Sequence, residues 1–412
     1  MATFVNTKRK IRVALALGMG GLLAACATSS SNFGTDFDRQ AGLNNQLGAD
    51  GTLPPANGRV LGEGQIRVAL LVPMTAQGFG ALAAENFTNA TELALREFSE
   101  KTINVVVKDT GGSPQQAAAA AQEALAEGAQ MIIGPVFSNS VPAVASIARP
   151  SGVPVLSFSN SANVASRGVN IFGFTPGPGI DRAIRYAGSK GSKSFAALIP
   201  NSALGPLAEA SFRQSVAAIG GRVVSIARYD YDGSQPQAKA QEVGALVAQG
   251  QVDSVFVPDA GDIAPQIITA LKQAVPSTRS VRLIGSGQWD DPRIFRNPAF
   301  EGAIYAAPNR DGYNKFAQRY NQVYGKPPIR LASLAYDATS LMIVLVQNFP
   351  GDFFSSTRLT NPSGFSGMAD GPFRLLRNGQ VQRALAVYEV GASGPRIVNP
   401  APRAFSGAAA GG

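Results

Sequence analysis

Apolar runs of strand length alternate with segments of helical spacing along this chain, and this alternation constrains the fold more than any other feature. The 113–128 segment begins with Ser-Pro and ends at Gly, which are typical helix boundaries. Strands separated by helices of this length indicate βαβ units and a parallel sheet. The first half of the chain is predicted to contain strands at 66–74, 103–110, 129–135 and 153–159, and helices at 86–100, at 113–128 and after Ser140.

The same alternation restarts after residue 190. Two more helices follow it at 313–325 and 331–349, and then a hairpin over 371–390 with Asn378-Gly379 as its turn. The chain is therefore predicted to be an α/β protein with two mostly parallel sheets flanked by helices. The second unit is predicted to have strands at 194–201, 222–230, 252–259 and 280–287, and helices at 204–219, 235–249 and 262–275.

The composition limits the chemistry that the chain can perform. It has 412 residues with 45% hydrophobic and 15% charged side chains, which is typical of a globular protein large enough for two domains. It has no histidine and one cysteine, so Ser-His-Asp catalysis, an intramolecular disulfide and a cysteine zinc site are excluded. It also contains no P-loop or G-x-S-x-G motif. The sequence predicts no enzyme activity, no cofactor and no metal.

The first residues have the layout of a secretory signal peptide. Lys8, Arg9, Lys10 and Arg12 precede an apolar stretch, 13–25, that is shorter than the roughly 20 residues of a membrane-spanning helix. The formal net charge of +9 includes these four cations, and 32 basic residues against 27 acidic ones remain without them. This mild excess contains no basic run, so nucleic-acid binding is not predicted.

The single cysteine, Cys26, ends the segment "LLAAC", which resembles the lipobox of bacterial lipoproteins. The alternative is an ordinary signal peptide with a chance cysteine. The resemblance implies cleavage after residue 25, acylation of Cys26 and a lipid anchor in a membrane, with the outer membrane favoured. Residues 26–64 are predicted to be a flexible tether and 399–412 a disordered tail.

Three small polar residues, Ser138, Asn139 and Ser140, lie between a buried strand and a helix in "MIIGPVFSNSVPAVASIA". Such residues commonly cap helices. A helix N-terminus also presents free N–H groups and a partial positive charge, which suits an anion. The local sequence leaves both interpretations open.

The order of elements resembles the type I periplasmic binding fold, especially the branched-chain amino-acid (leucine) binding proteins. The resemblance covers about residues 65–392 and depends on four stretches: "VALLVPMTAQGFG", "VVKDTGGSPQQAAAAAQEALAEGAQMIIGPVFSNS", "GVPVLSFSNSANVASRG" and "MADGPFRLLRNGQVQRALAVYEV". It implies two lobes joined by a multi-crossover hinge, with a small ligand bound between them. Lobe 1 is expected at 65–190 with 307–350, and lobe 2 at 191–306 with about 351–398.

The resemblance also implies a set of ligand contacts in lobe 1. Ser138 falls where the family binds an amino acid's α-carboxylate, and Asn160, beside Ser159, falls where a second residue serves that carboxylate. Phe79 takes the position of an aromatic residue that lines the cleft, and Tyr336 is placed on the cleft side of a late helix. For both residues, ordinary packing in the core is the alternative.

Lobe 2 departs from the family pattern. Gly287 and Gln288 stand where the family has an acidic residue for the ligand's ammonium group, and Leu204 stands where it has an aromatic residue. Because a buried amine without a charge partner is costly, a free α-amino acid is expected as the ligand only if Asp259, Asp290 or Asp291 supplies the anion. Trp289 is either a stacking wall of the cleft or a packing anchor.

Three functions remain open on this sequence. The first is a lipoprotein that binds an amino-acid-like solute for an ABC permease. The second is an outer-membrane lipoprotein that activates a penicillin-binding protein, since such activators carry this fold. The third is an envelope sensor.

Overall fold

The computed structural model describes residues 52–405, and the predicted signal peptide and Cys26 lie outside the described residues. Lobe 1 is built on a six-stranded sheet with the strand order β1-β3-β2-β4-β5-β6, in which only β1 is antiparallel to its neighbour. Its strands are β1 (Val60–Leu61), β2 (Ile66–Val72), β3 (Ile103–Asp109), β4 (Met131–Ile133), β5 (Val155–Ser157) and β6 (Val169–Ile171).

Helices cover both faces of this sheet, which explains why β2 and β3 are apolar on both sides. One face packs against α1, α9 and α10, and the other packs against α2 and α3. These helices are α1 (Phe79–Glu97), α2 (Pro114–Ala126), α3 (Val141–Ala148), α9 (Arg310–Tyr324) and α10 (Ala332–Asn348).

Lobe 2 is built on a seven-stranded sheet with the order β16-β15-β11-β10-β9-β7-β8, in which only β15 runs antiparallel to the other strands. Helices α4 (Pro176–Ser189) and α5 (Leu204–Ala218) cover one face, and α6 (Gln235–Ala248) and α7 (Ile263–Ala274) cover the other. The strands are β7 (Ser194–Pro200), β8 (Arg222–Tyr229), β9 (Ser254–Val257), β10 (Arg282–Gly285), β11 (Ile304–Ala307), β15 (Ala386–Gly391) and β16 (Gly394–Asn399).

A small antiparallel sheet follows α10 and the short helix α11 (Ser356–Leu359). Another short helix, α8 (Pro292–Phe295), follows β10 in lobe 2. The predicted turn at Asn378-Gly379 is present: Gly379 has φ 82° and the N–H of Leu376 donates to the carbonyl of Gln380 at 2.8 Å. The sheet consists of β12 (Phe365–Gly367), β13 (Gly371–Leu375) and β14 (Val381–Arg383).

The lobe boundaries differ from those expected from the sequence. Residues 351–383 were expected in lobe 2, but Phe353, Phe373 and Val381 are buried in the core of lobe 1. Helix α4 was expected in lobe 1, but it packs in lobe 2 beside β7. In both cases the apolar face of the segment is buried against the other lobe's sheet, which local sequence does not specify.

The segment before β2 was expected to belong to the flexible tether, but its described part is packed on lobe 1. Val60 and Leu61 pair with β3, and the buried guanidinium of Arg67 donates to the carbonyl of Pro54 at 2.5 Å. The ammonium of Lys108 donates to the carbonyl of Asn57 at 2.6 Å. Two buried cations therefore hold this segment in place.

Within residues 52–405 the chain passes between the lobes three times, at 172–175, 308–309 and 384–385. These passages are called the crossovers. They agree with the multi-crossover hinge implied by the family. In this part of the chain, no helix is both long and apolar enough to span a membrane.

Candidate functional site

A cavity of about 1000 Å³ lies between the two lobes at the carboxyl ends of their parallel strands. This is the expected ligand position in an open α/β fold. Its size is at the upper end for small-molecule sites. Lobe 1, the crossovers and lobe 2 all contribute side chains, among them Phe79, Ser138, Asn139, Asn160, Phe174, Leu385, Tyr231, Asp259 and Gln288.

The Ser-Asn-Ser segment forms one turn of 3₁₀ helix, Ser138–Ser140, directly before α3. None of its side chains makes a capping hydrogen bond to the turn or to α3, so the capping interpretation is wrong. Ser138 and Asn139 line the cavity, together with Asn160 after β5. The wall of lobe 1 therefore presents a hydroxyl and two amides near the start of a helix.

Two predicted contact residues support this wall without lining the cavity. Ser140 is 1% exposed, as is Ser159. The Oγ of Ser159 accepts from the N–H of Ser161 at 3.1 Å, and its own N–H donates to Ser157. These bonds fix the loop that carries Asn160.

Tyr336 was predicted on the cleft side of its helix, and this prediction is wrong. Its ring is fully buried in the core of lobe 1 beside Phe316. Its hydroxyl donates to Glu97 and accepts from Arg319. Helix α10 buries almost its whole circumference, so sequence periodicity does not identify a cleft-facing side.

Trp289 is a packing anchor and does not form a wall of the cavity. It is 0% exposed and packs edge-on against Phe300, with 4.9 Å between the ring centroids. Its Nε1 donates to the backbone carbonyl of Asp259 at 2.6 Å. Trp289 therefore positions the backbone of Asp259, a residue of the cavity wall, without lining the cavity itself.

Asp259 is the acidic group of the cavity that forms no ion pair in the part of the chain described here. It is 7% exposed, and its carboxylate accepts hydrogen bonds from the hydroxyls of Tyr229 and Tyr231, the latter at 3.1 Å. Burial raises the pKa of Asp259, although the two hydroxyls act in the opposite direction. A buried carboxylate without a cation favours a positively charged ligand group.

The other two candidate anions already have cationic partners. Asp290 binds Arg310 and lies 3.0 Å from Nε of Arg330. Asp291 lies 2.6 Å from Arg293. Of the three acids considered from the sequence, the structure leaves Asp259 for the ligand.

Sequence reasoning missed the aromatic and basic side chains at the hinge side of the cavity. Phe174 lies between two guanidinium groups, 4.7 Å from Arg330 and 5.0 Å from Arg383. All three line the cavity. They come from a crossover, from the approach to α10 and from β14, so no local motif indicates them. The described residues contain no cluster of side chains suited to a metal ion.

The fold and this cavity define a two-lobe binding protein, and comparison with known proteins agrees. A family model described as periplasmic binding protein matches residues 65–395. The chain therefore belongs to the periplasmic binding protein family, whose members act in the periplasm and are binding proteins rather than enzymes. The predicted membership of this family and the predicted lack of enzyme activity are both confirmed.

Relatives of this chain are distant. An uncharacterized protein of Rickettsia prowazekii (strain Madrid E), RP748, is 27% identical over 136 residues, which are 33% of this chain and 36% of that protein. The similarity thus spans about a third of that relative's length.

Solved structures resemble nearly the whole described chain. The solute-binding protein of an ABC transporter from R. palustris, in complex with benzoate, has a TM-score of 0.60 at 21% identity and covers 82% of this chain and 97% of its own. A substrate-binding protein from Desulfitobacterium hafniense, in complex with leucine, has a TM-score of 0.60 at 20% identity. The match covers 81% of this chain and 99% of that protein. These similarities confirm the predicted type I fold.

Proposed function

We propose that this protein binds a small amino-acid-like zwitterion between its lobes and delivers it to an ABC permease. The proposal depends on one observation about Asp259. Its carboxylate lies in the cavity wall, the residue is only 7% exposed, and it has no cationic partner among the described residues. A ligand ammonium group supplies the missing charge. The solved relatives that bind leucine and benzoate support a small carboxylate-containing ligand.

The opposite wall suits the carboxylate of such a ligand. Ser138 and Asn160 offer a hydroxyl and an amide in lobe 1, and the backbone N–H groups at the start of α3 add a partial positive charge. Asp259 belongs to lobe 2. A zwitterion held by both walls links the lobes, so binding favours the closed arrangement.

Aromatic side chains provide the apolar part of the site. Phe79 opens α1 at the cavity and is 50% exposed, and Tyr231 is 50% exposed on the opposite lobe. Closure over a ligand buries part of both rings. Burial of apolar surface contributes about 25 cal/mol per Å², so these rings favour ligands with an apolar portion.

The proposal is tested by thermal shift and calorimetry on the Cys26→Ser protein with amino acids, short peptides, aromatic acids and muropeptides. A ligand at 100 times its Kd adds about 2.7 kcal/mol of stability. Asp259→Asn must weaken binding of amino acids, whereas Asp262→Asn, whose side chain is 90% exposed, must not. Ser138→Ala and Asn160→Ala test the carboxylate wall in the same way.

Absence of any ligand across that panel would overturn this function. Capture of a penicillin-binding protein from envelope extracts would then favour the cell-wall regulator with the same fold. Membrane attachment is a separate part of the proposal. It predicts fatty-acid labelling of the wild-type chain in cells and none of the Cys26→Ser variant.

A further inference from the structure

Arg383, the last residue of β14, is a buried guanidinium at the cavity wall with unused hydrogen-bond donors. It is 8% exposed, and its Nη2 donates to the carbonyl of Phe172 at 2.6 Å. Its Nε and Nη1 donate no hydrogen bond. The group is packed among aromatic rings, at 4.4 Å from the centroid of Phe172, 5.0 Å from Phe174 and 5.6 Å from Phe373.

The acidic groups nearest to Arg383 are committed to other partners. The carboxylate of Asp370 accepts from Arg330 and Ser333, each at 2.8 Å. The carboxylate of Asp337 accepts the backbone N–H groups of Ala369 and Asp370. Neither comes within ion-pair distance of Arg383.

An unpaired guanidinium is unfavourable in this buried setting. Burial lowers the pKa of the Arg383 guanidinium, and Asp370 and Asp337 only partly offset that effect. Leaving buried donors unsatisfied costs about 1–3 kcal/mol, and more for a charged group. Such a cost at a cavity wall is typical of a group that a ligand completes.

The place of Arg383 separates it from the carboxylate site of the proposed function. Ser138 and Asn160 follow β4 and β5, whereas Arg383 binds the backbone just after β6. Neighbouring strands lie about 4.8 Å apart, so Ser138, two strands from β6, is about 10 Å across the sheet from the backbone that Arg383 binds, and Asn160 is about 5 Å from it. Two donors that share one carboxylate lie within about 8 Å of each other, so a carboxylate bound at Ser138 does not also reach Arg383.

We infer that the ligand carries a second anionic group, a side-chain carboxylate, that pairs with Arg383. This inference rests on the proposed function and narrows its ligand to acidic amino acids. Asp259 then takes the ammonium group, the Ser138 wall takes the α-carboxylate, and Arg383 takes the side-chain carboxylate. Arg383 directly precedes the crossover at 384–385, and closure of the lobes around a ligand is expected to move side chains beside the crossovers.

The test compares glutamate with glutamine, which have the same shape and differ in the charge of one group. Titration calorimetry on the wild-type protein is expected to give at least about tenfold tighter binding of glutamate, the worth of one charge-assisted hydrogen bond. In Arg383→Met that preference is lost, because both compounds then meet the same uncharged side chain. Arg383→Lys retains the charge and keeps part of the preference.

The outcomes separate this inference from the proposed function. Equal affinities for glutamate and glutamine in the wild-type protein, or an unchanged preference in Arg383→Met, overturn the inference and leave the amino-acid site intact. If neither compound nor any other amino acid binds, the proposed function itself fails. Melting curves of both variants show whether each variant is folded when its preference for glutamate is measured. If Arg383→Met does not fold, the preference measured in Arg383→Lys tests the inference.

Discussion

Arg330 in lobe 1 and Asp290 in lobe 2 form an ion pair between the lobes, with 3.0 Å from Nε to Oδ2. The same guanidinium lies 2.8 Å from Asp370 and packs 4.7 Å from the ring of Phe174 and 4.4 Å from that of Tyr313. The side chains of Asp290 and Asp370 are 3% and 0% exposed. This pair therefore joins the lobes in a largely water-free setting, where removal of one charge is costly.

Replacing Arg330 with Gln is expected to lower the free energy of unfolding by about 3–5 kcal/mol, because two buried carboxylates lose a partner. Urea unfolding measures this change. The matched control is Arg185→Gln, whose pair with Asp181 is exposed and contributes less than about 1 kcal/mol. Similar losses for the two variants would contradict a structural role for the Arg330 pair.

The second prediction concerns the pH dependence of stability. Burial, together with the neighbouring Asp370, raises the pKa of Asp337 to about 7. An unfolded aspartate titrates near 3.9. Between these values the folded protein holds a proton that the unfolded chain has released, so stability falls as pH rises from about 4 to about 7 and then levels off.

Asp337→Asn removes this titration, so its unfolding free energy is expected to vary less between pH 5 and pH 8 than that of the wild-type protein. The variant is less stable at every pH, because an amide cannot accept both the Ala369 and Asp370 N–H groups. Denaturant unfolding at four pH values measures both effects. Asp352→Asn removes a 43% exposed carboxylate as a control, and an equal flattening in that variant would count against Asp337.

Local patterns predicted most elements of the fold, because the hydrophobic pattern of a buried strand or an amphipathic helix lies within one contiguous segment. Helix α5 was expected at 204–219 and spans Leu204–Ala218. Helix α1, expected from 86, begins at Phe79, where Gly78 at φ 59° gives no side-chain cap. The lobe of a segment depends on distant packing, and for that reason the assignments of 351–383 and α4 were wrong.

The site was predictable where residues follow strands at the carboxyl edge of a sheet. Ser138, Asn160 and Asp259 line the cavity, their ligand contacts stay predictions, and the sequence did not decide among three acids. Asp290 is excluded as the ligand's partner because Arg310 and Arg330 already pair with it. Both arginines are distant from Asp290 in the sequence, so local sequence does not indicate these pairs. Arg383 was missed for the same reason.

A third prediction follows from the position of Trp289 behind Asp259. Trp289→Phe keeps most of the buried ring but removes the Nε1 donor at 2.6 Å from the Asp259 carbonyl. The unsatisfied carbonyl is expected to lower the unfolding free energy by about 1–3 kcal/mol. Because the loop of Asp259 is then less firmly held, the affinity for an amine-bearing ligand also falls. Unchanged affinity together with reduced stability would show that Trp289 supports the fold alone.

The last prediction distinguishes an exposed aromatic of the cavity from a buried one, and it combines two variants. Phe79 is 50% exposed in the cavity wall, so Phe79→Ala is expected to weaken ligand binding several-fold and to change the melting temperature little. Tyr336 is fully buried and its hydroxyl bonds to Glu97 and Arg319.

Tyr336→Phe is therefore expected to lower the unfolding free energy by about 1–3 kcal/mol and to leave ligand affinity unchanged. Calorimetric titration and thermal melting of both variants measure the two quantities. The opposite pattern, with affinity lost in Tyr336→Phe and retained in Phe79→Ala, would mean that the ligand lies elsewhere than the cavity between the lobes.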